Sequence, residues 1–343
     1  MTPPILYILG FAFALSLAVS GFMIAAGVGD IPNKRSNHSK TIPTSGGLGI
    51  AAALGGFFFL LPQYFAPTEL SSEWPFVLTA IWAVALLGLC DDVLTLRSGG
   101  KFTALLVLSV LAVWAIGPVT VLPYAAGEVH IPFAAGFIGS VLWVFVVSNA
   151  ANFMDGSNGM LVTVMSIACA ALAVIGTGLG AAQFVFLPLA ILAGLLGLMP
   201  YNARNKAAIF SGDVGSLVTG FGFAVAALWL CKDVPQKLPV FIGPVLILPF
   251  LTDVLLTLLR RALKRENLLR AHKSHLYQRL IAAGFSHLSV AGIYAIAGVL
   301  MAVFAYGMSA RGFHSFSAFL IFPSLTLAGV YYAVMARIER NLS

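Results

Sequence analysis

Amides, carboxylates, histidines and cations gather in five short stretches of an otherwise apolar chain. In Asn149-Ala-Ala-Asn152-Phe-Met-Asp155-Gly-Ser-Asn158-Gly159, positions 149, 152 and 155 recur every three residues and fall on one helix face. Two carboxamides and a carboxylate stacked in this way make an oxygen-rich surface suited to Mg²⁺ or to a nucleobase edge; the plainer alternative is a polar helix end. Asp91-Asp92, followed by Lys101, places two acids about 100° apart around a helix. One can then face a cavity as a base or a metal's neighbour while the other caps the helix or pairs with Lys101; otherwise the pair simply marks a membrane boundary. Phe210-Ser-Gly212-Asp213-Val-Gly215-Ser216 puts a carboxylate on a Gly-flanked turn. There it serves either as a helix N-cap or as a ligand for a hard cation, with phosphate favoured at the helix N-terminus.

The remaining two stretches are cationic. The first reads Asp30-Ile-Pro-Asn33-Lys34-Arg35-Ser-Asn-His38-Ser-Lys40, followed by Gly46-Gly47. It suits an anion held by cations, His38 and exposed backbone N–H groups, or it is a solvated basic loop. The other runs from Arg260 to Arg279 and contains Arg270-Ala-His272-Lys273-Ser-His275. With no carboxylate or Cys among the histidines a zinc site is not expected, and two His among cations, able to share a helical face, suit a diphosphate better. A basic amphipathic helix on anionic lipid is the alternative and can coexist with it. Asp253, seven residues before Arg260, is an acid inside an apolar run. It is either functional or paired with a neighbouring helix.

These stretches must be carried by membrane helices. Of the 343 residues 60% are hydrophobic and 9% charged, against about 25% charged in a soluble domain. Apolar runs near 3–28, 46–66, 75–90, 102–123, 133–151, 159–178, 183–200, 216–231, 239–260, 287–308 and 315–336 predict an all-α polytopic bundle of about 11 transmembrane helices in one unit. The first run lacks a basic leader region and is too long for a signal peptide, so it reads as a span. Cys90, Cys169 and Cys231 offer neither a disulfide framework nor a CxxC zinc pattern. If connections alternate sides, 16 of the 19 Lys and Arg share one face and only Lys232, Lys237 and Arg311 the other. The rich face is cytoplasmic, which puts the N-terminus outside and the C-terminus inside. It also holds most of the carboxylates and carboxamides, so chemistry is expected there and nucleic-acid binding is not.

Asp30-x-Pro-Asn33-x-Arg35-Ser36-x-His38, Asp91-Asp92 with Lys101, Asn149-x-x-Asn152-Phe-x-Asp155-Gly, Phe210-x-Gly212-Asp213-x-Gly215-Ser216 and His272-Lys-Ser-His275 occur in that order over nearly the whole chain. Together they resemble the motifs of the polyprenyl-phosphate N-acetylhexosamine-1-phosphate transferase family, glycosyltransferase family 4. The His-x-x-His form is closer to the bacterial undecaprenyl-phosphate N-acetylglucosamine and N-acetylfucosamine branch than to the muramoyl-pentapeptide branch. Three departures stand out: Asn158 where many members carry Asp, Thr44-Ser45 in place of an Arg-Gly before the Gly pair, and an extra residue between Asn202 and Asp213.

The resemblance implies transfer of a sugar-1-phosphate from a UDP-N-acetyl sugar to undecaprenyl phosphate in the inner membrane, releasing UMP. It opens lipopolysaccharide O-antigen or other cell-envelope polysaccharide synthesis. Mg²⁺, with Mn²⁺ as a substitute, is the implied cofactor, held by Asn152 and Asp213. Asp91 or Asp92 would orient the lipid phosphate and keep it deprotonated. Lys101, Arg270, His272 and His275 would stabilise charge on the phosphates. Asp155 and Asn158 would lie near the uridine, with Asn33, Arg35, His38, Asn149 and Asn202 completing substrate binding. The lipid bilayer is the other partner, and a homodimer is compatible with this assignment. A transporter of a lipid-linked sugar is the rival reading; polar groups near the bilayer midplane would favour it. A CDP-alcohol phosphotransferase would need a clustered acidic signature that is absent from the sequence.

Overall fold

A computed structural model describes residues 3–27, 29–30, 42–66, 70–124, 127–234, 240–268, 272–310 and 320–342. In chain order the helices are α1 (Pro3–Ala26), α2 (Gly47–Tyr64), α3 (Trp74–Leu94), α4 (Ser98–Ile116), α5 (Phe133–Met154), α6 (Met160–Gly178) and α7 (Phe186–Asn202). They continue with α8 (Gly212–Asp233), α9 (Ile242–Leu246), α10 (Leu248–Leu263), α11 (Leu276–Ala282), α12 (His287–Ala310) and α13 (Phe322–Leu342). Antiparallel ribbons β1 (Gly29–Asp30) with β2 (Ile42–Pro43), and β3 (Val121–Tyr124) with β4 (Gly127–His130), lie between α1 and α2 and between α4 and α5.

Among the described residues nine helices, α1 to α8 and α12, are long and apolar enough to cross a bilayer, α7 together with the 3-10 turn before it. Large apolar side chains such as Phe22, Phe76, Trp114, Val303 and Phe322 face outward, as lipid contact requires. The predicted span 239–260 is instead two helices broken at Ile247. Pro249 in the first turn of α10 has no N–H with which to continue the ladder of α9. The 16 residues of α10 reach only about 24 Å, short of the ~30 Å hydrocarbon core. The last predicted span, 315–336, overlaps α13, which runs on to Leu342 and carries Arg337 and Arg340 near its end; residues 315–319 lie outside the described ones.

At the centre stands α8, buried at every residue from Val214 to Cys231 and packed by α5, α3, α2 and α7. Its N-terminal end is approached at backbone distance. A Cβ on Gly47 of α2 would lie 2.1 Å from Gly215 N, and one on Gly88 of α3 would lie 2.6 Å from Val214 N. Glycine at those two positions is what lets α2 and α3 reach the turn that carries Asp213.

Candidate active site

Three of the sequence motifs converge on that turn. Asp213 lies in the first turn of α8 but does not cap the helix with its side chain. The capping carboxylate comes from α3: Asp92 Oδ1 accepts from Asp213 N at 2.9 Å and Oδ2 from Val214 N at 3.3 Å. An acid suits that place, because a helix N-terminus leaves N–H groups unpaired and favours negative charge. Asp91, one residue earlier and turned away, accepts from Leu96 N at 2.7 Å and thereby closes the end of α3. The turn is completed by Thr95 in the left-handed region at φ 51°, where a β-branched residue is strained. The pair is therefore no mere membrane-boundary signal, since both acids are spent on tertiary contacts.

Lys101, in the first turn of α4 and buried, bridges the two helices. Its Nζ lies 2.7 Å from Asp91 Oδ2 and 2.6 Å from Asp213 Oδ2. From α5, Asn152 Nδ2 donates to Asp213 Oδ1 at 2.5 Å and to Ser216 Oγ at 2.9 Å. Asp91, Asp92, Lys101, Asn152 and Asp213 thus meet at one end of four helices. Asp155 follows at the end of α5, where Ser211 Oγ donates to its carboxylate at 2.6 Å. Burial pushes the Asp155 carboxyl well above its usual range; the Ser211 hydrogen bond opposes the shift, and the Asp213 and Asp92 charges add to it.

Other predicted residues serve the frame of the site. Asn158 Nδ2 donates to the carbonyls of Arg204 and Asn205 at 3.0 and 3.1 Å. Asn202 is buried and accepts from Gly159 N while donating to Ile209 O, each at 3.0 Å. These two amides tie the 203–211 segment to the start of α6. Asn149 donates to Phe145 O at 2.8 Å, and its buried Oδ1 has no partner among the described residues. The N–H groups of Gly46 and Gly47, expected to face an anion, are used on Phe210 O and Ser211 O at 2.9 and 2.8 Å. They brace the Asp213 turn instead. Asn33, Arg35, His38 and Arg270 lie outside the described residues.

The histidine motif is not a helical face. Residues 272–274 are non-helical and His275, at φ −61° and ψ 149°, is the extended residue that precedes α11. The two rings nevertheless meet, with centroids 4.9 Å apart and planes tilted 36°. Their exposures differ: His275 is 3% exposed, whereas His272 is partly exposed, with Nδ1 2.8 Å from Ser274 Oγ. Burial, with His275 and Arg261 nearby, lowers the His272 pKa to about 4. At neutral pH it is therefore an uncharged hydrogen-bonding group. His275 lies between the rings of Phe153 and Tyr277, at 6.1 and 6.0 Å, and Tyr277 Oη donates to Phe153 O at 3.0 Å. Phe153 follows Asn152, so the histidine loop docks on the C-terminal end of α5 beside the carboxylate cluster. Ser211 and Tyr277 join this frame without any sequence signal that singles them out.

Among the described residues no group of three or more His, Cys, Asp or Glu is arranged to hold a metal ion. The donors present still suit Mg²⁺, which is commonly bound through one or two carboxylates plus substrate phosphates. Here the Lys101 ammonium already stands as a cation between two carboxylates, Asp213 supplies hard oxygen donors, and the Asn152 carboxamide lies against it through Nδ2.

A profile of glycosyl transferase family 4 matches residues 74–231, from α3 to α8. The chain is 29% identical over 284 residues to the probable undecaprenyl-phosphate N-acetylglucosaminyl 1-phosphate transferase of Bacillus subtilis, an alignment covering 81% of this chain and 76% of that protein. It is 30% identical over 296 residues to the decaprenyl-phosphate N-acetylglucosaminephosphotransferase of Mycobacterium tuberculosis, covering 77% and 72%. With the undecaprenyl-phosphate alpha-N-acetylglucosaminyl 1-phosphate transferase of Yersinia pestis it shares 24% identity over 318 residues, covering 88% and 83%. The clustered motifs and the extent of these matches agree: the chain belongs to glycosyl transferase family 4, the polyprenyl-phosphate hexosamine-1-phosphate transferases.

Proposed function

We propose that this chain transfers N-acetylhexosamine-1-phosphate from a UDP-sugar to undecaprenyl phosphate and releases UMP. It would thereby begin O-antigen or another envelope polysaccharide at the cytoplasmic face of the bacterial inner membrane. An oxygen of the lipid phosphate attacks the phosphorus that bears the sugar. The P–O bond to the uridine-bearing phosphate breaks, UMP departs, and a lipid-linked diphosphate sugar remains. The observation that carries this reading is the meeting of Asp91, Asp92, Lys101, Asn152 and Asp213 in a member of this family.

Phosphoryl transfer asks a protein for positioning and charge stabilisation more than for covalent chemistry. Asp92 is the exposed acid of its pair and is assigned to the lipid phosphate, which it orients and keeps deprotonated. Lys101 offsets negative charge that develops on the transferring group. Asp213 and Asn152 are the residues that would hold Mg²⁺, which when bound neutralises the diphosphate and polarises the attacked phosphorus. Asp155 is assigned to the uridine side, and His272 offers a hydrogen-bond donor to the phosphates. The concentration of 16 Lys and Arg on one face supports a cytosolic site, where UDP-sugars are found.

The test is purified protein with Mg²⁺, undecaprenyl phosphate and a panel of UDP-sugars, scored for UMP. Release that requires the lipid, Mg²⁺ and one UDP-N-acetyl sugar is the expected result. No UMP with any donor would sink the proposal.

A further inference from the structure

We infer that Asp253 is a positioning residue for the histidine loop, its carboxylate fixing the ring of His275 and, through the ring contact, that of His272. The inference rests on the proposed function only for what the loop does with substrate. Asp253 lies in α10, 1% exposed. Its Oδ1 accepts from Leu276 N at 2.7 Å and its Oδ2 from Tyr277 N at 3.1 Å, the first two amides of α11. Those donors have no partner within a helix, so one carboxylate caps α11 from another element. His275 Nδ1 lies 3.4 Å from Asp253 Oδ1 and, among the described residues, makes no hydrogen bond. A carboxylate on that edge favours the tautomer with the proton on Nδ1 and leaves Nε2 as the working nitrogen.

The carboxylate is itself held. Tyr294 Oη of α12 donates to Oδ2 at 2.6 Å and Thr257 Oγ1 to Oδ1 at 3.1 Å, while Thr257 also meets Tyr331 Oη of α13 at 3.0 Å. Three helices therefore fix an acid that faces the buried His275 and, through its ring, the partly exposed His272. A buried carboxylate is costly to place in an apolar bundle, and a simple helix cap on a surface loop would not need it. His275 then leans on Phe153, next to Asn152, so an error in its ring angle is felt where the metal ligands are proposed.

The test uses the full chain with ¹⁵N-histidine in detergent, the His275 signals being assigned against His275→Gln. Asp253→Asn keeps the shape and one acceptor but removes the charge facing Nδ1. The expected result is loss of the Nδ1–H tautomer signature at His275. The kcat for UMP release should fall about 10- to 100-fold, as when a partner orienting a functional histidine is removed. KM for both substrates should stay within about twofold, since the change is one of orientation rather than binding. An unchanged tautomer, or activity lost only in proportion to folded protein, overturns the inference and leaves Asp253 a plain staple. If Asp253→Asn does not fold, Tyr294→Phe frees Oδ2 of one donor and should give a weaker form of the same pattern; unchanged spectra and kcat there overturn it equally. Wild-type protein that released no UMP would defeat the proposed function instead, with the ¹⁵N measurement still deciding the clamp.

Discussion

Lys101 is the residue on which the electrostatics of the site turns, because one ammonium serves both Asp91 and Asp213. Losing one carboxylate leaves the other to pair with it; losing the cation leaves two acids facing each other. Asp213→Asn should therefore abolish UMP release with little change in Tm. Lys101→Met should lower stability by up to about 3–5 kcal/mol, the cost of breaking a buried pair, reduced here because Asp213 keeps some solvent contact. Added Mg²⁺ should recover part of that loss. Thermal unfolding of both variants with and without Mg²⁺ is the measurement, and equal Tm losses would refute the shared-cation account. His272 allows a second prediction at this scale. Its folded pKa of about 4 is below the unfolded value near 6.5, so the unfolded chain binds the proton more readily. The stability it contributes is present above pH 6.5 and is lost as pH falls toward 4. Tm measured from pH 7 to 4 should fall less steeply in His272→Gln than in wild type; parallel curves would mean that the ring is not held neutral.

The site depends on how closely α3 approaches the first turn of α8, and Gly88 sets that distance. In Gly88→Ala the new Cβ would lie 2.6 Å from Val214 N and 2.7 Å from Asp213 O, atoms of a backbone that cannot swing aside. Overpacking of this kind costs about 1–3 kcal/mol. It also carries Asp91 and Asp92 away from Asp213, so UMP release should fall further than stability does. Gly139→Ala in α5 is the control, since nothing lies within 4 Å of its added Cβ. Comparable activity in the two variants would show that helix spacing at Gly88 is not limiting. The break at Ile247 belongs to the same scale. An unbroken tenth helix would carry Asp253 on a different axis, and α10 could not lay its carboxylate against the start of α11.

For the molecule as a whole, the five motifs must open to one side of the membrane. Single cysteines at Gly99, in the first turn of α4, and at Asn205, before α8, occupy exposed positions at the site end. A cysteine at Glu128, exposed in the β3–β4 ribbon, reports the opposite end. A membrane-impermeant thiol reagent should reach Glu128→Cys from outside, and Gly99→Cys and Asn205→Cys only in inside-out vesicles. Labelling of the latter pair from outside would invert the orientation drawn from the 16-to-3 split of basic residues.

Composition and apolar run length were enough to determine an all-α membrane bundle, because 9% charge cannot cover a soluble body. Motif order was enough to determine the family, and the spacing of Asn152, Asp155 and Asp213 marked them without any fold. Which partner each polar group takes was decided only in three dimensions. Asp92 caps α8 across 121 positions, and Asn158 and Asn202, expected at the substrate, spend their amides on loop carbonyls and an amide N–H. Asp253 was legible as an acid in an apolar run, but that it clamps the start of α11 was not. The physical reason is the same throughout. Hydropathy and spacing act along one helix and survive in the sequence, whereas a buried polar group is satisfied by whichever distant donor packing brings within hydrogen-bond reach.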